Sequence, residues 1–125
     1  MVLRVASLQS QSKKVKVPNS TWGGQHIGLE IANDHTTLDF DCAHGNINQP
    51  FETDSAGAFD LAGTYVKESP GPARQDAGEE HHQARYSGRI EGKVMTLTIK
   101  LIDRGEIIGR FTLKRGALPQ VAKCG

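Results

Sequence analysis

Residues 83–114 have the sequence QARYSGRIEGKVMTLTIKLIDRGEIIGRFTLK, in which apolar side chains recur at every second position. Two segments that contain glycine, Glu91–Lys93 and Asp103–Glu106, divide it into three parts. A period of two places alternate side chains on opposite faces of a strand, and glycine supplies the positive φ of short hairpin loops. The stretch therefore predicts an antiparallel meander of three strands with one buried face. Its predicted inward side chains are Ala84, Tyr86, Ile90, Met95, Leu97, Ile99, Leu101, Ile107, Phe111 and Leu113.

The same alternation appears earlier in the chain, and no stretch has a helical period. Because nearly all connections are short, consecutive strands should be antiparallel neighbours. About eight strands in that order can close into a barrel, which removes the sheet edges. We therefore predict an all-β fold, a single antiparallel up-and-down barrel of seven to eight strands, with a two-sheet sandwich as the alternative. The predicted strands are 25–32, 36–42, 46–52, 58–67, 82–91, 93–102 and 106–114, with 13–17 as a possible eighth.

Size and charge indicate one domain and limit its partners. The chain has 125 residues, of which 20–125 are predicted to form the barrel domain and 1–19 an N-terminal tail with a possible short edge strand. The formal charge is +1, from 15 basic and 14 acidic residues, so nucleic acid is not an expected partner. No apolar run approaches the roughly 20 residues of a membrane helix. The oligomeric state is left open.

Two cysteines, Cys42 and Cys124, allow either two reduced thiols or one disulfide. A disulfide is favoured because Cys124 ends a polar tail that has little else to hold it. It would close a loop of 124 − 42 + 1 = 83 residues and stabilise the fold by roughly 4 to 5 kcal/mol. Met1–Leu8 lacks the features of a signal peptide. A bridge would nevertheless favour a periplasmic or secreted protein, because disulfides persist in oxidising compartments.

Histidine and carboxylate side chains give the candidate metal ligands, which are His26, Asp41 and His44. The alternation sends Asp41 outward and Cys42 inward, so one ion could not easily use both. The sequence therefore favours a His26–Asp41 surface pair and predicts no metal site and no cofactor. His81 and His82 are predicted to be a solvated loop end, because adjacent side chains of an extended chain point to opposite faces.

The candidate ligand-binding residues are inward positions that are not aliphatic. Polar tips on an apolar lining are typical of a small-molecule pocket, although buried tyrosine hydroxyls also bond to backbone groups. The single tryptophan, beside two glycines, is interpreted as a plug that closes one barrel end and completes this set. The residues are Gln49, Tyr65, Tyr86, Met95 and Trp22.

Several short segments resemble those of a group of small bacterial β-barrel proteins without an assigned function. They are WGGQH at 22–26, DFDCAHG at 39–45, GTYV at 63–66, RYSG at 85–88 and KC at 123–124. The resemblance covers residues 20–125 and implies a compact β-domain that is often exported, with no activity attached. More loosely, Gly63-Thr64-Tyr65 followed by hairpins is similar to the avidin and lipocalin (calycin) barrels, in shape only.

Three functions remain open from the sequence. The first is non-catalytic binding of a small, partly apolar molecule inside the barrel. The second is a protein-interaction or structural role without a ligand cavity, for which the outward basic residues of the meander could serve. The third, a metal-dependent or cysteine hydrolase, is disfavoured because a Cys42 thiol beside Leu38 and Phe40 would lie in apolar surroundings, where thiols are inert. The outward basic residues are Arg85, Arg89, Lys100, Arg110 and Lys114.

Overall fold

The computed structural model describes residues 14–68 and 80–122, which contain ten β-strands. No helix long and apolar enough to cross a membrane is found in this part of the chain. The strands are β1 (Val15–Lys16), β2 (Ser20–Gly24), β3 (Ile27–Ile31), β4 (Thr36–Phe40), β5 (Ala43–Ile47), β6 (Glu52–Thr53), β7 (Ala58–Lys67), β8 (Glu80–Glu91), β9 (Val94–Leu101) and β10 (Glu106–Arg115).

Eight of these strands close into an antiparallel barrel in the order β2-β3-β4-β5-β7-β8-β9-β10. Each pairs with its neighbour in that order, and β10 returns to pair with β2. The predicted all-β up-and-down barrel is therefore confirmed. Because consecutive strands run in opposite directions, their connections alternate between the two ends of the barrel.

The remaining two strands, β1 and β6, form a separate ribbon at one end of the barrel. Val15 lies opposite Thr53, and Val17 N donates a hydrogen bond to Phe51 O at 2.9 Å. Phe51 is almost fully buried, and its ring centroid is 4.8 Å from that of Phe59. We call this end, with link residues 48–57 and the turn at 92–93, the ribbon end. The predicted strand 13–17 thus exists as the shorter β1, but it covers the barrel instead of joining its wall.

Alternation along each strand produces the core as expected. Strand β9 shows it most clearly, since Met95, Leu97, Ile99 and Leu101 are buried and the side chains between them are not. The remaining large buried side chains come from all seven of the other barrel strands and from Phe51. Full burial of each large apolar side chain contributes about 1.5–3 kcal/mol, so this shared interior is the main source of stability.

One inward prediction, Ile107, is wrong. A bulge between Ile107 and Gly109 shifts the pairing with β9, so that Ile107 lies opposite the outward Lys100 and Gly109 lies opposite the inward Ile99. Ile107 is consequently 52% exposed. Phe111 and Leu113, beyond the bulge, have the predicted inward orientation.

Several strand boundaries also differ from the prediction. The predicted strand 36–42 ends at Phe40, so Cys42 lies in the following loop and not on the inward face beside Leu38 and Phe40. Segment 20–24 was not predicted to be a strand, although its Trp22 was interpreted as a plug of one barrel end. It is barrel strand β2. The predicted strand 25–32 begins at Ile27, because residues 25–26 form the hairpin loop in which His26 has φ 69°. The predicted strand 46–52 is replaced by β5, which ends at Ile47, and by the short β6.

The C-terminal segment 116–122 runs along the outside of β2 from the ribbon end towards the opposite end. Gly116 N donates to Thr21 O at 2.7 Å, and Gln120 N donates to Gly24 O at 3.1 Å. A Cβ atom on Gly28 would lie 2.7 Å from the Pro119 ring. Glycine is therefore required there so that the segment can pack flat against the wall.

Candidate functional site

Tyr86 fills the barrel interior where the sequence predicts a ligand. Its side chain is fully buried, and its hydroxyl donates a 2.6 Å hydrogen bond to the carbonyl oxygen of Thr64. A Cβ atom on Gly45 would collide with this hydroxyl, and one on Gly63 would lie 2.9 Å from the ring. The two glycines therefore make room for Tyr86, which occupies that part of the interior. Burial raises the pKa of the Tyr86 phenol, and the nearby Tyr65 adds to the rise.

The other predicted ligand residues do not gather around one cavity. Met95 is fully buried, and Tyr65 is nearly so, with its ring centroid 5.4 Å from that of Phe40. Gln49 lies past the end of β5, half-buried, and lines a separate surface cavity of about 420 Å³ with Pro50 and Glu52 among others. Of the predicted set, Trp22 and Gln49 line surface cavities at the ribbon end.

A groove of about 450 Å³ lies between the ribbon and the rim of the barrel, and we call it the ribbon groove. Trp22 lines it, with its indole Nε1 donating to Ser20 Oγ at 3.0 Å. Val17 and Ile90 complete an apolar floor, since both are partly buried against the core. The other lining residues are Val15, Lys16, Pro18, Thr53, Asp54, Ser55, Ala56, Gly57, Glu91, Gly92 and Arg115.

Four charged residues line the ribbon groove, namely Lys16, Asp54, Glu91 and Arg115. Asp54 Oδ1 accepts hydrogen bonds from Ala56 N and Ala58 N, both at 2.9 Å, and these backbone bonds lower the pKa of the carboxyl. Glu91 lies 3.7 Å from Arg89. Neither Lys16 nor Arg115 has an ion-pair partner within the described residues.

Arg115 is well placed to meet an anionic group in the ribbon groove. It lies directly opposite Trp22 in the β10–β2 pairing, so the two side chains share the inward face of the barrel at its rim. Trp22 is almost fully buried there, whereas Arg115 is exposed. The pair thus places an apolar surface and a cation side by side.

Among the residues that the structure describes, the opposite end of the barrel has three histidine–carboxylate pairs, and we call it the histidine end. His26 Nδ1 lies 2.5 Å from Asp41 Oδ2, which joins the loop at 25–26 to the loop at 41–42. Asp41 Oδ1 also accepts a 2.8 Å hydrogen bond from Ala122 N. The predicted His26–Asp41 surface pair is therefore present, and its carboxylate also holds the C-terminal segment.

The other two pairs involve carboxylates that the sequence did not suggest. His44 Nδ1 lies 2.8 Å from Glu68 Oε2, and His82 Nδ1 lies 2.8 Å from Asp103 Oδ2. The His82 side chain is only 8% exposed, so the prediction of a solvated loop end is wrong for this residue. The alternation of side chains along β8 could have predicted this burial, because His82 lies directly opposite the inward Tyr65 and so shares its face of the sheet.

The described histidine–carboxylate pairs are not gathered into a group of metal ligands. Over residues 14–68 and 80–122, no group of three or more His, Cys, Asp and Glu side chains is placed to hold a metal ion. His44 contacts Glu68 and does not join His26 and Asp41. A cysteine nucleophile requires a free thiolate, and the described part of the chain has no free cysteine.

Cys124 lies outside the described residues, so its predicted pairing with Cys42 stays a prediction. The preceding residues support it. Cys42 N donates to Ala122 O at 3.2 Å, which places the chain two residues before Cys124 beside Cys42. Cys42 has φ 55°, a conformation that is uncommon outside glycine and one that a tether on this loop could help to hold.

The two ends of the barrel therefore offer different chemistry. The ribbon groove combines an apolar floor with two cations that have no ion-pair partner among the described residues. At the histidine end, Asp41, Glu68 and Asp103 each already contact a histidine. Comparison with protein-family models, with curated proteins and with solved structures finds no match to this chain.

Proposed function

We propose that the protein binds a small, partly apolar molecule with a negatively charged group, without catalysis, in the ribbon groove. The observation that supports this most directly is the pairing of Arg115 with Trp22 at the rim, above a floor that includes Val17 and Ile90. Small-molecule sites are mostly apolar clefts of some 300–1,000 Å³ with a few placed polar groups. The groove, at about 450 Å³, falls within that range.

The position of the proposed site differs from the sequence expectation of a ligand inside the barrel. The interior around Tyr86 is occupied by its own side chain and by the hydrogen bond to Thr64. The ribbon groove instead lies outside the packed core, with Trp22 as the shared boundary. A ligand could enter it without unpacking the barrel.

The charge of the ligand follows from the groove's free cations. A carboxylate, sulfonate or phosphate group would find Arg115 and Lys16 without ion-pair partners among the described side chains, whereas a cationic group would meet them with repulsion. The Asp54 carboxylate keeps its negative charge, but its Oδ1 is already engaged by two backbone N–H groups, so the two cations are the groups left for an anion. Anionic amphiphiles are therefore the proposed ligand class.

The test uses 8-anilinonaphthalene-1-sulfonate, a small aromatic sulfonate, as the probe. Trp22 is the only tryptophan in the chain, so quenching of its emission by energy transfer to the dye reports binding to the barrel, and the variants locate the site. We expect saturable one-to-one binding. The variant Arg115→Glu should weaken it about fivefold or more, the loss expected for about 1 kcal/mol of charge interaction.

The matched control is Lys67→Glu, which makes the same change in net charge on an exposed residue at the histidine end. The dye should bind this variant as it binds the unmodified chain. Equal losses in both variants would show that binding depends only on net charge, and absence of saturation would show that no such groove is available. Either result would overturn the proposal.

A further inference from the structure

The outer face of strands β8, β9 and β10 is formed mostly by cations and hydroxyl groups, together with Ile107, Val94 and Glu91, and we call it the basic face. Four rows of directly opposed residues cross the three strands. Every row contains at least one cation. The rows are Arg85–Lys100–Ile107, Ser87–Thr98–Arg110, Arg89–Thr96–Thr112 and Glu91–Val94–Lys114.

Most of this positive charge is not neutralised within the protein. Arg85 Nε donates to Asp60 Oδ1 at 3.0 Å, and Arg89 lies 3.7 Å from Glu91. Lys100, Arg110 and Lys114 have no ion-pair partner in residues 14–68 and 80–122, and all three are exposed.

The arrangement costs the folded barrel some stability. Arg85 and Lys100 are directly opposite each other on neighbouring strands, where like charges are destabilising. The chain as a whole is nearly neutral, at +1, so the basic face is balanced by acidic groups elsewhere. Outward carboxylates on β3 and β4, across the barrel from the basic face, include Glu30 and Asp39. The positive charge is therefore concentrated on one side of the barrel.

The shape of the basic face fits a narrow, extended partner. Three strands spaced about 4.8 Å apart give a width of about 10 Å between outer Cα positions, and four rows about 6.8 Å apart give a length of about 20 Å. That is smaller than the roughly 800 Å² per partner of a standard globular interface. It carries no aromatic ring on which bases could stack.

We propose that the basic face is a docking surface for an extended acidic polypeptide segment. In an extended chain, alternate side chains point the same way and recur about every 6.8 Å, which is also the spacing of the rows. A segment with Asp or Glu at every second position would thus meet a cation in each row, and the hydroxyls of Ser87, Thr96, Thr98 and Thr112 would donate the remaining hydrogen bonds.

The test measures fluorescence anisotropy of a fluorescein-labelled peptide of five Glu-Thr repeats at about 50 mM salt, where surface charges are weakly screened. We expect saturable binding that weakens as the salt concentration rises. Arg110→Glu should weaken it about fivefold or more, whereas Lys67→Glu, with the same change in net charge, should leave it unchanged.

The alternatives give different results. Equal losses in Arg110→Glu and Lys67→Glu would mean attraction without a defined surface, and no saturation at millimolar protein would mean that the peptide does not dock. Tighter binding to heparin, or to vesicles containing phosphatidylserine, with the same dependence on Arg110 would assign the face to a different class of partner. Each of these outcomes overturns the proposal. Because the probes and variants differ from those for the ribbon groove, failure of one proposal does not affect the other.

Discussion

The Tyr86 hydroxyl donates a 2.6 Å hydrogen bond to the carbonyl oxygen of Thr64, three residues beyond its register partner Leu61 on the neighbouring strand. Two glycines, Gly45 and Gly63, leave the space that the tyrosine ring and hydroxyl occupy. Tyr86, which was predicted to line a cavity, therefore fills the interior, and its hydroxyl proton is already donated to Thr64. This relationship moves the proposed ligand site from the interior to the ribbon groove.

Removal of the Tyr86 hydroxyl should destabilise the barrel modestly. In Tyr86→Phe the Thr64 carbonyl loses its buried donor, which costs about 1 kcal/mol of unfolding free energy. Denaturant unfolding followed by Trp22 emission measures the change. Tyr65→Phe is the control, because no hydrogen bond of the Tyr65 hydroxyl is found among the described residues, and its effect should be smaller. Equal effects would contradict a structural role for the Tyr86 bond.

Alkaline pH should destabilise the protein through the same residue. Burial raises the pKa of Tyr86 above its ordinary value in the folded state, so the unfolded chain loses this proton first as pH rises. Titration of Tyr86 should therefore leave the unfolding free energy unchanged below about pH 10 and should lower it at higher pH. Unfolding curves from pH 8 to 11 should fall less steeply for Tyr86→Phe. Identical slopes would mean that the buried phenol does not titrate differently in the two states.

Thr36 should tolerate loss of its hydroxyl. Its side chain is fully buried, and its Oγ1 is a buried polar atom without a hydrogen-bond partner in the described structure. Replacement by valine keeps the shape and removes an unsatisfied polar group, so Thr36→Val should raise the unfolding free energy by about 1 kcal/mol. Thermal unfolding compares it with the matched exposed substitution Thr37→Val, which should have little effect. A clear loss of stability in Thr36→Val would show that the hydroxyl is bonded.

The predicted Cys42–Cys124 disulfide should anchor the C-terminal segment. Asp41 and Cys42 already bond to Ala122 at 2.8 and 3.2 Å. Peptide mapping without reductant should recover the linked pair, and reduction should lower the unfolding free energy by roughly 4 to 5 kcal/mol. Amide exchange at Ala122 should accelerate at the same time.

The control for that experiment is the double variant Cys42→Ser/Cys124→Ser, on which the reductant should have no effect. Alkylation of both cysteines in the native, unreduced protein would contradict the pairing. Loss of stability on reduction without faster exchange at Ala122 would show that the bridge does not act through the C-terminal segment.

The barrel itself could be predicted from side-chain alternation, because a period of two over Met95–Leu101 leaves only one burial pattern for β9. Alternation failed at Ile107, where a bulge inserts one residue and reverses the parity. Strand β2 was missed for another reason. Two glycines follow Trp22, and their role is close approach by β10 and the C-terminal segment, which are distant in sequence.

The candidate site was harder to predict than the fold. Trp22 was identified from its type, but its neighbours Val17, Ile90 and Arg115 come from three separate segments that only the closed barrel brings together. Parity does predict that Tyr86 faces inward, but it does not show whether a cavity or a packed contact receives the side chain.

The most direct test of a ligand site in the ribbon groove is a map of backbone amide shifts in ¹⁵N-labelled protein during titration with 8-anilinonaphthalene-1-sulfonate. We predict that the largest saturable changes occur at Trp22, Thr53, Asp54, Ile90 and Arg115, which line the groove. Largest changes at Tyr86, Leu97 and Ile99, or no saturable change at any amide, would contradict it.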